Sequence, residues 1–208
     1  MAFPLNPNIE YSGNLFRLGT IPAPATDLSS TESYEFVQRI GMTVVIPVDE
    51  SGNVYAIRNN RPYYGETLGF PGGNLDGTFE DPELPEVGGS RELLEEMGMV
   101  GDIQTFMFPS ISSTIDYCRF LIIARGAKKI QEPTGPDAAQ ITHSTMKSRI
   151  FIDNMNEGTF PTPYPDLELA IVRAVGSLGA SVVTDWLVRG VWNEEVTNRF
   201  GNHLIELN

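Results

Sequence analysis

Between Arg91 and Gly98 the chain reads Arg-Glu-Leu-Leu-Glu-Glu-Met-Gly, which sets three carboxylates, Glu92, Glu95 and Glu96, just before a glycine. On an α-helix, positions i, i+3 and i+4 fall within roughly 100° of one face. Like charges so placed repel at a cost of about 0.2–0.5 kcal/mol per pair unless cations lie between them. Hard oxygen donors at this spacing suit Mg2+ or Mn2+ better than Zn2+. The pattern therefore predicts a divalent-metal site for diphosphate chemistry. The bland alternative is a solvated acidic face, which is what most charge runs are.

The neighbouring residues supply the element that must carry those charges. Val87, Ser90, Leu93, Leu94 and Met97 fall in a stripe away from Glu92, the pattern of a helix lying on a sheet. Gly98 offers a left-handed C-terminal cap and Asp81-Pro82 marks a turn, so the helix is predicted from Leu84 to Met97. Gly88 and Gly89 inside it each cost up to about 1 kcal/mol relative to alanine, which implies a close approach by another segment. The expected visitor is the preceding loop, Phe70-Pro71-Gly72-Gly73-Asn74, whose glycines expose backbone amides and carbonyls.

Residues 77–99 read Gly-x5-Glu-x7-Arg-Glu-Leu-Leu-Glu-Glu-Met-Gly-Met and resemble a complete Nudix box. Pro71-Gly72-Gly73 resembles the glycine loop that precedes the family's helix. A short insertion within Asn74 to Pro82 separates Gly73 from Glu83, so Gly77 meets the formal pattern while Gly72 and Gly73 hold the structural place. Tyr34 to Gly41, leading into Met42–Val48, is similar to the first strands of the ADP-ribose and ADP-sugar pyrophosphatases of that superfamily. Val54 to Arg61 resembles their strand ending in a phosphate-contacting arginine. Phe108-Pro109-Ser110, with Asp116 downstream, resembles their Ser-Pro-Gly loop followed by an acidic residue.

The resemblance implies an α/β Nudix fold, a mixed β-sheet sandwiched between α-helices, with an N-terminal strand extension and a C-terminal helical extension. It divides the chain into residues 1–33, which would pair between subunits, a Nudix domain over 34–175 and a helical extension over 176–208. It implies metal binding by Gly72, Glu92, Glu95 and Glu96 with Mg2+ or Mn2+ as cofactor, and phosphate or substrate contacts from Arg61, Arg58 and Asp116. Glu83 and Arg91 are expected to form an ion pair between loop and helix. The general base is expected to be Glu95 or a residue of the loop after the box, where Glu132, Asp137 and His143 are available and Asp137 is preferred. Phe16, Tyr34, Tyr63 and Tyr64 are candidates to stack on a base, and Phe16 and Phe36 to serve a homodimer interface.

Composition agrees with one enzyme domain carrying extensions. The chain has 208 residues, 41% of them hydrophobic, enough to bury one good core. A net charge of −13 argues against extended nucleic acid as a partner. A nucleotide stays possible, because metal ions and a few arginines neutralise a diphosphate locally. The one cysteine, Cys118, lies in an apolar run and reads as packing; with no signal-peptide pattern at Met1 to Tyr11 and no long apolar run, a cytoplasmic location is expected.

Strands are predicted at Asn14–Gly19, Phe36–Val48, Val54–Arg58, Thr105–Phe108, Asp116–Ala124 and Arg149–Asp153, with a hairpin turn at Asp49 to Asn53. The polar stretch Lys128 to Ser148 reads as a functional lid. Helices are expected over Asp166–Ser177 and Ser181–Phe200. The function that follows is metal-dependent hydrolysis of a nucleoside diphosphate linked to another moiety, ADP-ribose or an ADP-sugar, to AMP and a phosphorylated sugar. Dinucleoside polyphosphates, NADH and (d)NTPs are rival substrates. A non-catalytic nucleotide sensor is the rival class, against which three mutually repelling carboxylates argue.

Overall fold

The computed structural model describes residues 7–22, 33–61, 65–109, 115–136, 138, 141–147, 150–151, 180–190 and 205–207; at residues 59, 61, 108, 109, 115, 180–184 and 205–207 it describes the backbone only. The chain begins with β1 (Asn8–Ser12), β2 (Phe16–Pro22), β3 (Ser33–Arg39), β4 (Met42–Val48), β5 (Asn53–Arg61) and β6 (Gly65–Gly69). Helix α1 (Pro85–Met97) follows, then β7 (Met99–Pro109), β8 (Ile115–Asp116), β9 (Cys118–Lys129), β10 (Thr142–Lys147), α2 (Ala180–Arg189) and β11 (Ile205–Leu207). The predicted helix Asp166–Ser177 lies outside the described residues.

Two sheets form. The smaller has the order β1-β2-β3-β8, and the larger, seven-stranded and mixed, runs β10-β5-β4-β9-β7-β11 with β6 added to β5. Strands β4 and β9 pair in parallel at its centre, Val45 opposite Ile122 and Ile46 opposite Ile123. They are apolar on both faces, as a strand covered on both sides must be. Val45, Ile122 and Ala124 join Leu93 and Met97 of α1 on one face; Ile46, Val48, Leu121 and Ile123 join Trp186 and Leu187 of α2 on the other. The sheet is thus sandwiched between helices, and part of the segment expected as a C-terminal extension covers its second face. Arg125 fixes α2 there by donating from Nη2 to the Trp186 carbonyl at 2.8 Å and to Gln104 Oε1 at 2.6 Å.

Several local expectations need correction. The buried line of α1 is Gly89, Leu93 and Met97, whereas Val87 and Ser90 face solvent. Gly89 lets the helix settle onto Ile122 so closely that a Cβ there would collide with its side chain, and this rotates the contact line away from the residues that hydrophobicity alone selects. Gly88 is approached by Leu75 and Glu83, so only one of the two glycines serves the loop side. The predicted single strand Phe36–Val48 is broken at Ile40 and Gly41 into β3 and β4, which belong to different sheets. The expected lid contains β10, which pairs with β5 from Thr142 opposite Arg58 to Lys147 opposite Asn53. Its residues are mostly polar because it lies at an edge, and a polar edge strand looks like a loop in sequence. Ile150 and Phe151, expected in a strand, are helical, with Phe151 buried edge-on against Phe70. Strand β11 lies beyond the predicted helix at Ser181–Phe200, of which the structure describes α2.

The predicted hairpin turn is held by Asp49, whose carboxylate accepts from the Ser51 and Asn53 amides, Asn53 Nδ2 and the Tyr55 hydroxyl. Trp186 is fully buried and meets Phe106 edge-on at 5.9 Å between ring centroids. Trp186→Ala should therefore cost about 3–5 kcal/mol of stability. A guanidinium unfolding curve checks this; an unchanged midpoint would remove α2 from the core.

Candidate active site

The loop before α1 is laid along β4 by backbone pairing. Val45 donates to the Pro71 carbonyl at 2.8 Å, Thr43 to the Gly73 carbonyl at 2.8 Å, and Leu75 to the Gly41 carbonyl at 2.8 Å. Gly72, between two residues that face β4, turns toward α1, and its amide donates to Glu96 Oε2 at 3.0 Å. A Cβ on Gly72 would collide with the Thr43 carbonyl, and one on Gly73 would lie 2.5 Å from Glu92 Oε1. Close approach thus requires a glycine at 72, where the loop lies on the β4 backbone, while the bare Gly73 leaves room for the Glu92 carboxylate to lie on the loop. Gly77 has φ of 92° and belongs to the turn of the insertion, bridged to Pro82.

Arg91 organises the acidic groups. Its guanidinium pairs with Glu83 at 3.0 Å, Asp76 at 3.3 Å, Glu92 at 2.9 Å and Glu95 at 3.4 Å, and donates to the Asn74 carbonyl at 3.1 Å. Hydrogen bonding from Arg91 holds the Glu83 carboxyl below its ordinary range, while hydrogen bonding from Glu83 raises Arg91. Glu92 behaves in the opposite way. Its side chain is only 12% exposed, and burial pushes its carboxyl up despite the contact with Arg91. Among the described residues no three carboxylate, histidine or cysteine side chains converge as a ready metal cage, because Glu92 and Glu95 turn to Arg91 while Glu96 turns to Gly72.

The other candidates are dispersed. Arg58 of β5 and Glu66 of β6 pair at 3.0 Å through exposed side chains. The backbone of Arg61 pairs with Gly65, and its side chain is not described; Asp137, Tyr63 and Tyr64 lie outside the described residues. Asp116 accepts from Gln38 Nε2 at 3.1 Å within the small sheet. Glu132 pairs with Lys129 at 2.8 Å. His143, read in the sequence as a residue of a polar loop, lies exposed on β10, which carries it to the end of α1, where its Nε2 lies 3.0 Å from the Glu96 carbonyl. No sequence pattern signalled this, because β10 reads Thr-His-Ser-Thr-Met-Lys, with Met146 its one apolar residue. Phe36, proposed for an interface, is buried at 2% exposure, whereas Phe16 is 41% exposed.

No protein-family model matches the chain, and no curated protein matches it. A solved structure described as the crystal structure of an ADP compounds hydrolase superposes with a TM-score of 0.57 at 18% identity, covering 91% of this chain and 98% of that one. The fold is the Nudix fold. Within it, the sheet sandwich presents the glycine loop and the carboxylates of α1 to each other. Among the described residues, no helix of this Nudix fold is long and apolar enough to cross a membrane.

The opposite shifts of Glu83 and Glu92 give a signed prediction. Glu83 adds stability above the ordinary carboxylate range, and this is lost as pH falls through its lowered value. Glu92, raised by burial, favours the fold while protonated and loses that contribution as pH rises through its folded value. In chelator at pH 7, Glu92→Gln should therefore melt at a higher temperature than the unmodified protein, with the gap closing as pH is lowered toward 4. A lower melting temperature at pH 7 would show that the Arg91 contact outweighs burial.

Proposed function

We propose that the chain hydrolyses the diphosphate bond of a nucleoside diphosphate linked to another moiety, ADP-ribose or an ADP-sugar, giving AMP and a phosphorylated sugar. The observation that carries this reading is the meeting of Glu92 and Glu96 with the Gly72-Gly73 loop, in a fold shared with an ADP compounds hydrolase. The donor chemistry fits a hard divalent cation. Glu92, Glu95, Glu96 and the Gly72 carbonyl would hold Mg2+, or Mn2+ in its place, and the oxygens now on Arg91 would exchange it for the metal. A cation bound there lowers the pKa of the water it holds and offsets charge on the phosphate oxygens.

The chain's own groups supply position and charge. Arg91, fixed by Glu83 and the Asn74 carbonyl, moderates repulsion among the carboxylates before substrate arrives. The Arg58–Glu66 pair is exposed, and such pairs contribute only about 0–1 kcal/mol, so a phosphate can displace Glu66 from Arg58 at little cost. Arg61 and Asp116 complete the proposed substrate contacts. Glu95, 36% exposed, is available to orient or deprotonate water, with Asp137 as the loop alternative. The guanidinium between Glu92 and Glu95 favours a second reading, in which the module binds a nucleotide without cleaving it.

Glu96→Gln should reduce Mg2+-dependent AMP release by more than about a hundredfold while the fold, followed by circular dichroism, persists. Retained turnover would exclude the metal role. A panel of ADP-ribose, ADP-glucose, NADH, diadenosine polyphosphates and dNTPs, assayed with Mg2+ and Mn2+, separates the readings: no cleavage of any of them supports the sensor, and cleavage of triphosphates alone excludes the ADP-ribose assignment.

The same reading includes a homodimer formed through the small sheet. Leu18 and Val37 face each other in register on β2 and β3 and are 39% and 36% exposed, and Tyr11, opposite Leu18, and Phe16 extend this apolar area. Neighbouring exposed apolar side chains of this kind support a subunit contact here. Leu18→Glu should convert a dimer into a monomer by sedimentation velocity; a monomeric unmodified protein would refute the pairing.

A further inference from the structure

We infer that His143 is a positioning residue that fixes Glu96 in the metal-binding helix, an inference that rests on the function proposed above. A helix leaves its last four carbonyls without intrahelical partners. In α1 the Gly98 amide caps the Leu93 and Leu94 carbonyls, and the amides of Thr134 and Gly135 both donate to the Glu95 carbonyl at 2.9 Å. The Glu96 carbonyl is met instead by a side chain, His143 Nε2 at 3.0 Å. A carbonyl can only accept, so Nε2 carries the hydrogen and donates it.

Glu96 is consequently held at both ends, its carboxylate by the Gly72 amide and its backbone by His143. These anchors come from different elements, the glycine loop on β4 and the edge strand β10. The location matters electrostatically too. The C-terminal end of a helix carries partial negative charge, and α1 has no basic residue in its last turn to complement it, although three carboxylates lie on that turn and the one before. A donor from β10 stands where a lysine or arginine of the helix would otherwise help. His143 itself is exposed on β10, so its side chain contributes little to the core and its contact with Glu96 is its distinguishing feature. A donor in the outer shell of a metal site sets ligand orientation, and losing one typically costs about 10–100-fold in metal affinity or activity.

The test compares the full chain with His143→Leu, which removes the donor, and His143→Gln, whose amide nitrogen reaches a similar position. Mn2+ affinity is measured by electron paramagnetic resonance, kcat and KM with ADP-ribose, and stability by thermal melting. His143→Leu should bind Mn2+ about tenfold more weakly and lose about tenfold in kcat with KM nearly constant, and His143→Gln should recover most of both. Wild-type Mn2+ affinity in His143→Leu, or no recovery in His143→Gln, would overturn the inference, whatever happens to the melting temperature. If the unmodified protein neither binds Mn2+ nor cleaves any nucleotide, the functional proposal itself fails, and this inference with it. If it does both and His143→Leu is indistinguishable from it, the inference alone fails.

Discussion

The Arg91 guanidinium is the interaction on which the acidic helix depends. Glu92, Glu95, Glu83 and Asp76 all lie within salt-bridge distance of it, and without a cation these groups would repel across a half-buried space. Arg91 also donates to the Asn74 carbonyl, so the charge that quiets the helix fastens the loop to it. Helix, glycine loop and insertion therefore share one anchor. The planar fork of arginine is needed for this, because an ammonium group could not address so many oxygens in fixed directions.

The insertion has a second attachment. Arg17 of β2 pairs with Glu80, and its guanidinium lies 4.3 Å from the centre of the Phe79 ring, so the extra residues dock on the small sheet. Arg39, at the end of β3, donates to Asn74 Oδ1 and lies 5.0 Å from the centre of the Tyr117 ring. Two arginines of the N-terminal strands thus reach the segment that leads into α1. The loop is supported from both sides, by Arg91 on the helix and by these residues on the sheet.

Much of the fold was legible because its signals were local. The helix from Pro85, its αL cap at Gly98 and the hairpin turn at Asp49 each rest on residues within a few positions of one another. The carboxylates share a face through helical spacing alone. What sequence did not reveal depends on position in the sheet. Strand β10 is polar because it is an edge, and β11 is three residues long, too short for a periodic signal. The buried line of α1 depends on how closely Gly89 lets it approach Ile122, a distance that hydrophobicity does not encode. His143 was obscure for the same reason, since only the pairing of β10 with β5 brings it to the helix.

The parallel pairing of β4 with β9 has a consequence for the order of folding. These strands are distant in the chain, and the glycine loop and α1 lie in the segment between them. Contacts of such long range close late and slowly, because the intervening chain must first give up its freedom. The hairpin of β4 and β5 can form early and offers Val45 to α1, but the apolar floor under the helix is complete only when β9 supplies Ile122 and Ala124. The surface that carries the carboxylates is therefore completed only when the centre of the sheet closes.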